Sequence, residues 1–377
     1  MQYGLMCYGY TINLGNEIQS IAARRFLPKI DFYVDHEKLH LFKNSQKIKM
    51  IMNGWYLDCI ESWPPSDDID PLLISMHFNT SVNETKDVIL TPESKDYFST
   101  YGPVGCRDYS TLELLEENGI DSYYSGCLSL TLNSSHNDND YKYVVVNSHN
   151  SPNIITYLKT KTDLPIYDIH QLTMRSYDKK YLSKPDSDLK FTSFYNVWEK
   201  FLMAENLISI YDNAQCIITD RFHAAMPALA LETPVLFIND AEFGLERLNE
   251  ISRLVRETTF EEYENDYSIF DVENPSKNPD DYLKIRKDLI KRTKQFTGYL
   301  DESPSVSFSE NQIFDSIALM SRTCQESRRY MNAASRITKK YDKIIKDQQK
   351  IIDNQKREIS ELKSSKKKFK NPLKLFK

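Results

Sequence analysis

The chain has 377 residues, 40% of them hydrophobic and 12% aromatic, which is enough for two domains and a tail. Only ten glycines are present, with no GxGxxG and no Walker pattern, which excludes a glycine-rich phosphate loop and a repetitive β architecture. The net charge of −6 hides an asymmetry: residues 336–377 carry 15 Lys/Arg against 5 Asp/Glu, the rest 33 against 49, and so acidic a body excludes a nucleic-acid-binding one.

Leu5–Tyr8 reads as a first strand, followed by a turn over Thr11–Asn16 and a helix from about Glu17 to Leu27 that stops at Pro28. Asn13, Gly15 and Asn16 are small polar groups in that turn, suited either to a ligand or to capping the helix. Ile48–Asn53 is the next buried strand, with Gly54-Trp55-Tyr56 behind it. Leu72–Met76 is another and ends on His77. Val88–Leu90 and Gly105-Cys106 read as short strands. Arg107-Asp108-Tyr109-Ser110 then opens a helix, Thr111–Asn118, closed by Gly119, and Ser125–Leu132 completes this half.

Ser134–Asp140 is polar and turn-rich, and is taken as a boundary. Tyr143–Val146 begins a second sheet and stops at Asn147-Ser148-His149-Asn150. A helix, Asn153–Thr160, and a strand near Pro165–Ile169 follow, then a loop over Asp186–Phe194 and an amphipathic helix over Val197–Asp212. Cys216–Thr219 is a buried strand carrying Asp220-Arg221-Phe222-His223 at its carboxyl end. A helix of small residues and a second strand, Val235–Ile238, complete a β-α-β unit. Phe243–Val255 reads as helical, Glu261–Asp281 as an acidic loop, and Asp281–Gly298 and Asn311–Met331 as helices.

From Ile337 the pattern changes. Ile345, Ile352 and Ile359 recur every seven residues, with Tyr341, Gln348, Gln355 and Leu362 between them. This is either a marginal coiled coil, which would make a homo-oligomer, or a single solvated helix. The lysines, Phe369, Leu373, Leu375 and Phe376 of the last twelve residues suit docking on an anionic membrane surface, or merely a solubilising tail. Six cysteines without a CxxC pair, and no signal or membrane-spanning stretch, place the expected protein in the cytoplasm, at most peripheral at the inner face of the membrane. No metal site is expected.

The reading is an α/β chain: residues 1–133 and 141–335 as two Rossmann-like domains, residues 336–377 as a basic helix and tail. Arg107, Arg221 and His223 each follow a strand. If the two sheets face one cleft, two guanidiniums and an imidazole make a receptor for a small di- or trianion, the cations replacing a metal. Asn53, Trp55, His77, Asn147 and His149 are further candidates for hydrogen bonding or stacking on a ligand, with Asn16 and Ser110 beside them.

The chain resembles the polysaccharide pyruvyl transferase family. The shared features are Asn13-Leu14-Gly15-Asn16 with Gln19, Asn53-Gly54-Trp55, His77, Arg107-Asp108-Tyr109-Ser110, Asn118-Gly119-Ile120, and Thr219-Asp220-Arg221-Phe222-His223 with Pro234-Val235. Gly126-Cys127-Leu128 stands where the family usually has an Asp-Pro pair. The resemblance implies a GT-B-like pair of Rossmann-like domains facing a cleft. It also implies transfer of the enolpyruvyl unit of phosphoenolpyruvate to two hydroxyls of a sugar in a glycan, giving a pyruvate ketal with no further cofactor. Arg107 and Arg221 would hold the donor and His223 would act as general acid, its charge supported by Asp220 or Asp108. A GT-B-type sugar-nucleotide glycosyltransferase and a non-catalytic interaction protein using the Ile345/Ile352/Ile359 helix are the alternatives.

Overall fold

Two parallel sheets organise the computed structural model, which describes all residues except 10, 58–59, 80–82, 136–140, 173–195, 241–252 and 370–377. The first sheet has the order β2-β1-β3-β4-β5-β6, from Gln2–Cys7 (β1), Phe32–Asp35 (β2), Ile48–Tyr56 (β3), Ile69–Phe78 (β4), Val104–Cys106 (β5) and Ser122–Tyr124 (β6). The second has the order β11-β10-β9-β7-β8, from Val144–Asn147 (β7), Ile166–Asp168 (β8), Cys216–Thr219 (β9), Val235–Ile238 (β10) and Arg256–Thr258 (β11). Every pairing within both sheets is parallel. That is why the central strands read as unbroken apolar runs: helices cover both faces and leave no solvated side to alternate with.

Gly15–Arg24 (α1) follows β1, and Val197–Asp212 (α6) and Phe222–Ala230 (α7) flank β9. Ile18, Ile21 and Ala22 of α1, Leu207 and Ile208 of α6, and Ala224, Ala225 and Ala228 of α7 share one apolar core, so both sheets are anchored to the same buried mass. Small residues on α7 let these helices approach closely. Between them lies an ion pair. Lys200 Nζ on α6 reaches Glu17 Oε1 on α1 at 3.0 Å, both side chains 1% exposed.

Several expectations are corrected. Val88–Leu90 is not a strand: Asn83–Ile89 is a helix (α2), whose Ile89 packs with Met52 and Phe78. A second helix, Pro92–Tyr101 (α3), follows, started by the Thr91 hydroxyl accepting from Ser94 N–H and by Pro92 in its first turn. Two short helices thus make the crossover from β4 to β5. Tyr109–Glu117 (α4) is the helix read from Arg107-Asp108-Tyr109-Ser110, with Asp108 as its cap. Ser125–Leu132 is loop and a single 3₁₀ turn, Leu128–Thr131. Ser151–Leu158 (α5) leads from β7 to β8. Glu261–Asp281 is not all loop: Thr259 and Glu262 form a capping box on Phe260–Asn265 (α8). Edge strands β2, β6 and β11 went unread, being three or four residues long. The loop over Asp186–Phe194 and residues 243–252 of the expected Phe243–Val255 helix lie outside the described residues.

Tyr282–Thr297 (α9) ends on Gly298 in the left-handed conformation. The last helix, Glu310–Phe369 (α10), is one continuous element where the sequence suggested a helix over Asn311–Met331 and a separate heptad segment. Ile313, Ile317, Met320 and Cys324 seat its first part in the core. Ile345, Ile352 and Ile359 further along are 61%, 43% and 51% exposed.

Candidate active site

His223 joins the two halves. It stands in the first turn of α7 and packs on the first turn of α1. A Cβ added to Gly15 would lie 2.2 Å from His223 Nδ1 and 2.7 Å from its Cβ, so no residue but glycine fits there without moving the imidazole. Asn13 shapes the same turn by accepting from Gly15 N–H at 3.0 Å. The Asn-Leu-Gly-Asn motif is therefore a seat for a histidine 208 positions away in sequence. Gly15→Ala is expected to lower both the thermal transition and catalysis, because Gly15 is buried and the added Cβ displaces the ring. A melting curve and a turnover assay on the same preparation check this, and unchanged turnover would show that ring position does not matter.

Gln19, one turn along α1, donates its Nε2 to Gly15 O at 3.2 Å and lies 3.3 Å from His223 Nε2. An amide nitrogen can only donate, so His223 Nε2 carries the lone pair and Nδ1 the proton. The imidazole is neutral. Burial first, then the charges of Arg107 and His77, push its pKa down to about 3. Gln19 Oε1 is buried without a partner, so turning the amide over would present an acceptor to a protonated Nε2.

Arg107 comes from the end of β5 in the other sheet. Its N–H is held by Met76 O at 2.8 Å, and its guanidinium lies 5.2 Å from the ring centre of Phe222, the neighbour of His223. Arg107 is 6% exposed, its Nη1 has no partner, and the nearest carboxylate, Asp108 Oδ2, stands 3.8 Å from Nε. So nearly buried a cation with so loose a counter-ion fits an anion from outside the chain.

Asp108 is bound elsewhere. It caps α4 by accepting from Thr111 N–H at 3.0 Å, takes the Ser110 hydroxyl at 2.9 Å, and makes a short contact with His77 Nδ1. Burial alone would raise the Asp108 pKa. The His77 bond and charge, with Arg107, outweigh it and hold the carboxyl below the usual range. His77 is thereby fixed under the Trp55 ring, with centroids 4.3 Å apart. Ser110 serves the helix cap rather than pointing at a ligand of its own.

Arg221 immediately precedes α7 as its N-cap residue, its N–H held by Thr219 Oγ1 at 2.9 Å. Its Nε pairs with Asp220 Oδ1 at 3.1 Å, and no hydrogen bond or ion pair links it to Arg107 or His223. Asp220 Oδ2 also takes His149 N–H at 2.7 Å, His149 Nδ1 at 3.1 Å and the Ser148 hydroxyl at 2.8 Å. Neither Asp108 nor Asp220 supports His223, contrary to expectation, because both are engaged by nearer donors.

Two of the further candidates are tied into the chain through their amide nitrogens. Asn53 is fully buried and donates Nδ2 to Gln19 O at 3.1 Å, tying α1 to β3. Asn147 is fully buried too, both amide hydrogens committed to Gln171 Oε1 at 2.8 Å and Tyr211 Oη at 2.7 Å. Asn16 is 9% exposed and donates to Thr11 Oγ1 at 3.1 Å. His77 is buried against Trp55, and exposed His149 is held by Asp220. Gln19, Phe222 and the glycine seat were quoted in the sequence but given no role, since only the fold brings them against His223. At Gly126-Cys127-Leu128, Gly126 has φ +71 and Cys127 is buried with Sγ 3.0 Å from Ser129 Oγ. Burial, with the charge of Arg107 opposing it, raises that thiol's pKa. Among the described residues no cluster of His, Cys, Asp and Glu has metal-binding geometry.

Residues 13–241 match the profile of a family described as Polysaccharide pyruvyl transferase. No protein of curated function matches the sequence. Among solved structures, a UDP-GlcNAc 2-epimerase of Methanocaldococcus jannaschii, in complex with UDP-GlcNAc and UDP, is similar at 13% identity over 78% of this chain and all of that one, with a TM-score of 0.39. MnaA of S. aureus bound to UDP is similar at 12% over 82% of this chain and all of that one, TM-score 0.39. An uncharacterised Klebsiella pneumoniae protein is similar at 13% over 67% of this chain and 88% of that one, TM-score 0.37.

Proposed function

Since the chain belongs to the polysaccharide pyruvyl transferase family, its residues 13–241 spanning well over half the length, we propose that it transfers the pyruvyl unit of phosphoenolpyruvate onto two hydroxyls of one sugar in a glycan. The observation that carries this is the nearly buried Arg107 guanidinium, under-compensated and beside a neutral imidazole from the other half of the chain. Phosphoenolpyruvate brings about three negative charges on its phosphate and carboxylate together. Arg107 pairs with one of these groups and Arg221 with the other.

The donor's charge reverses the electrostatics at His223. The cations that depress the imidazole are neutralised, a new anion stands nearby, and the ring takes up a proton. Imidazolium then gives that proton to the methylene carbon, making a methyl group and an oxocarbenium-like centre at C2. One sugar hydroxyl attacks C2 and its proton passes to the now neutral imidazole, restoring the imidazolium. The bond between C2 and the phosphate oxygen breaks, and the second hydroxyl closes the ketal, its proton leaving with the departing phosphate. Trp55 and His77 would line the acceptor side. No helix of the described residues is long and apolar enough to cross a membrane.

The test is phosphate release from phosphoenolpyruvate in the presence of galactosides and N-acetylmannosaminides, with ketal formation read by mass. No release with any such acceptor argues against the reading. We further propose that the exposed Ile345, Ile352 and Ile359 positions pair with a second copy of the helix. A chain ending at residue 340 is expected to keep turnover and to sediment as a smaller species. Identical sedimentation of the two chains removes the oligomer.

A further inference from the structure

Tyr8 follows β1 and is buried, its ring centre 5.0 Å from that of His36. Its hydroxyl donates to Asn53 O over a long 3.5 Å. Next to that hydroxyl is Gly54, where the register of β3 on β4 slips and the backbone has φ +117. A Cβ added to Gly54 would stand 2.9 Å from Tyr8 Oη and 3.9 Å from Gln19 Oε1. One bare α-carbon thus brings the phenol and the amide oxygen to the same small space.

Gln19 Oε1 is buried there without a partner. The other end of the amide, Nε2, donates to Gly15 O at 3.2 Å and lies 3.3 Å from His223 Nε2. The backbone of Gln19 is held too, its carbonyl accepting from Asn53 Nδ2 at 3.1 Å. When His223 takes up a proton its Nε2 becomes a donor, and the amide must turn over to present Oε1. Turning gives up the bond to Gly15 O and carries Nε2 into the space beside Gly54. A buried N–H with no acceptor there would oppose the turn. The Tyr8 hydroxyl is an acceptor at that place: its oxygen can receive the amide N–H while its own hydrogen stays on Asn53 O.

We propose that Tyr8 is a positioning residue for the transfer reaction: its hydroxyl receives the turned Gln19 amide and so holds Gln19 Oε1 against the protonated imidazole. This rests on the function proposed above, in which His223 becomes charged, and adds the group that supports the charged state. The charged and titratable groups around the pair are Arg107 and His77 at the imidazole, and Glu17, Arg107 and Cys7 at the phenol, with His36 against its ring. Burial raises the pKa of Tyr8, so the phenol stays neutral and accepts a hydrogen bond without moving a proton.

The experiment is the pH dependence of phosphoenolpyruvate-dependent phosphate release by the full chain, with galactosides and N-acetylmannosaminides as acceptors. In the wild type kcat is expected to fall as pH rises through the pKa of the imidazolium in the complex. Tyr8→Phe keeps the ring against His36 and removes only the hydroxyl. It is expected to move that pKa down by about one unit and so to lower kcat about tenfold on the alkaline side, with little change at the acid end and KM within about twofold. Tyr56→Phe, whose ring centre is 4.8 Å from that of His36, is the control for packing: whatever it does to the melting temperature, it is expected to leave the pKa in place. Gln19→Glu supplies an acceptor that has no need to turn, and in that chain Tyr8→Phe is expected to shift the pKa far less. An unmoved pKa in Tyr8→Phe, or an equal shift in Tyr56→Phe or in the Gln19→Glu chain, overturns the role. Failure of the transfer reading looks different: phosphate release is then absent from the wild type as well as from every variant, and the role falls with it.

Discussion

Replacing His223 with Gln is expected to reduce phosphoenolpyruvate-dependent turnover on the order of 10²–10⁴-fold, with the loss in kcat. The ring is seated on Gly15, and on the proposed mechanism Gln19 serves both its states: in the resting site Gln19 donates to Nε2, and after protonation its Oε1 would accept from the same atom. Arg107→Ala should fail differently. It removes a guanidinium that meets the donor in the ground state, so KM should rise and kcat/KM fall by about a hundredfold or more. Arg107→Lys should restore little, because an ammonium at that depth lacks the fork that meets a phosphate or carboxylate with two bonds. Initial rates of phosphate release separate the two patterns. Turnover that survives both substitutions would remove this mechanism.

The largest effect on stability is expected at Lys200. Its ammonium serves Glu17 Oε1, Tyr8 O in a short contact, and Thr11 O at 3.4 Å, all from the first β-α unit. Lys200→Met leaves a carboxylate and two carbonyls in the core and should cost about 3–5 kcal/mol. Glu17→Gln in the same chain should recover much of that loss, since it removes the stranded charge. The pH sign follows from Glu17. Burial raises its pKa and Lys200 offsets this only in part. Without Lys200 the folded value rises further, so the folded state holds a proton that the unfolded state releases, and the deficit of Lys200→Met grows as pH rises above the usual carboxylate range. Denaturant unfolding at several pH values checks it; a deficit independent of pH would mean that Glu17 is not the stranded group.

How much of this was legible in the chain differs by level. The β-α-β run at Cys216–Ile238 announced itself, because a fully buried parallel strand has no polar alternation and a helix of alanines has one use. Val88–Leu90 misled for a related reason: three apolar residues fit a strand or the last turn of a short helix equally, and Ile89 is buried either way. Arg107 and His223 were visible as charges at strand ends. That they neighbour one another was not, since it depends on how α1 packs against α7. Asn53 and Asn147 read as ligand contacts by the same rule, and the fold engages their amide nitrogens within the chain, because an asparagine at a strand end satisfies buried backbone and neighbouring polar groups as readily as a ligand. Arg328 carried no signal at all. Its ion pair with Asp168 appears only when α10 lies along β8.

The central claim is that Arg107 and His223, from different sheets, hold one small acid and that the acid charges the histidine. Calorimetric titration of phosphoenolpyruvate near pH 7, repeated in buffers of different ionisation enthalpy, counts the protons taken up on binding. The account predicts uptake approaching one proton in the wild type and none in His223→Gln, with binding weakened in Arg107→Ala. Binding with no proton uptake in the wild type, or equal affinity in all three chains, would contradict it.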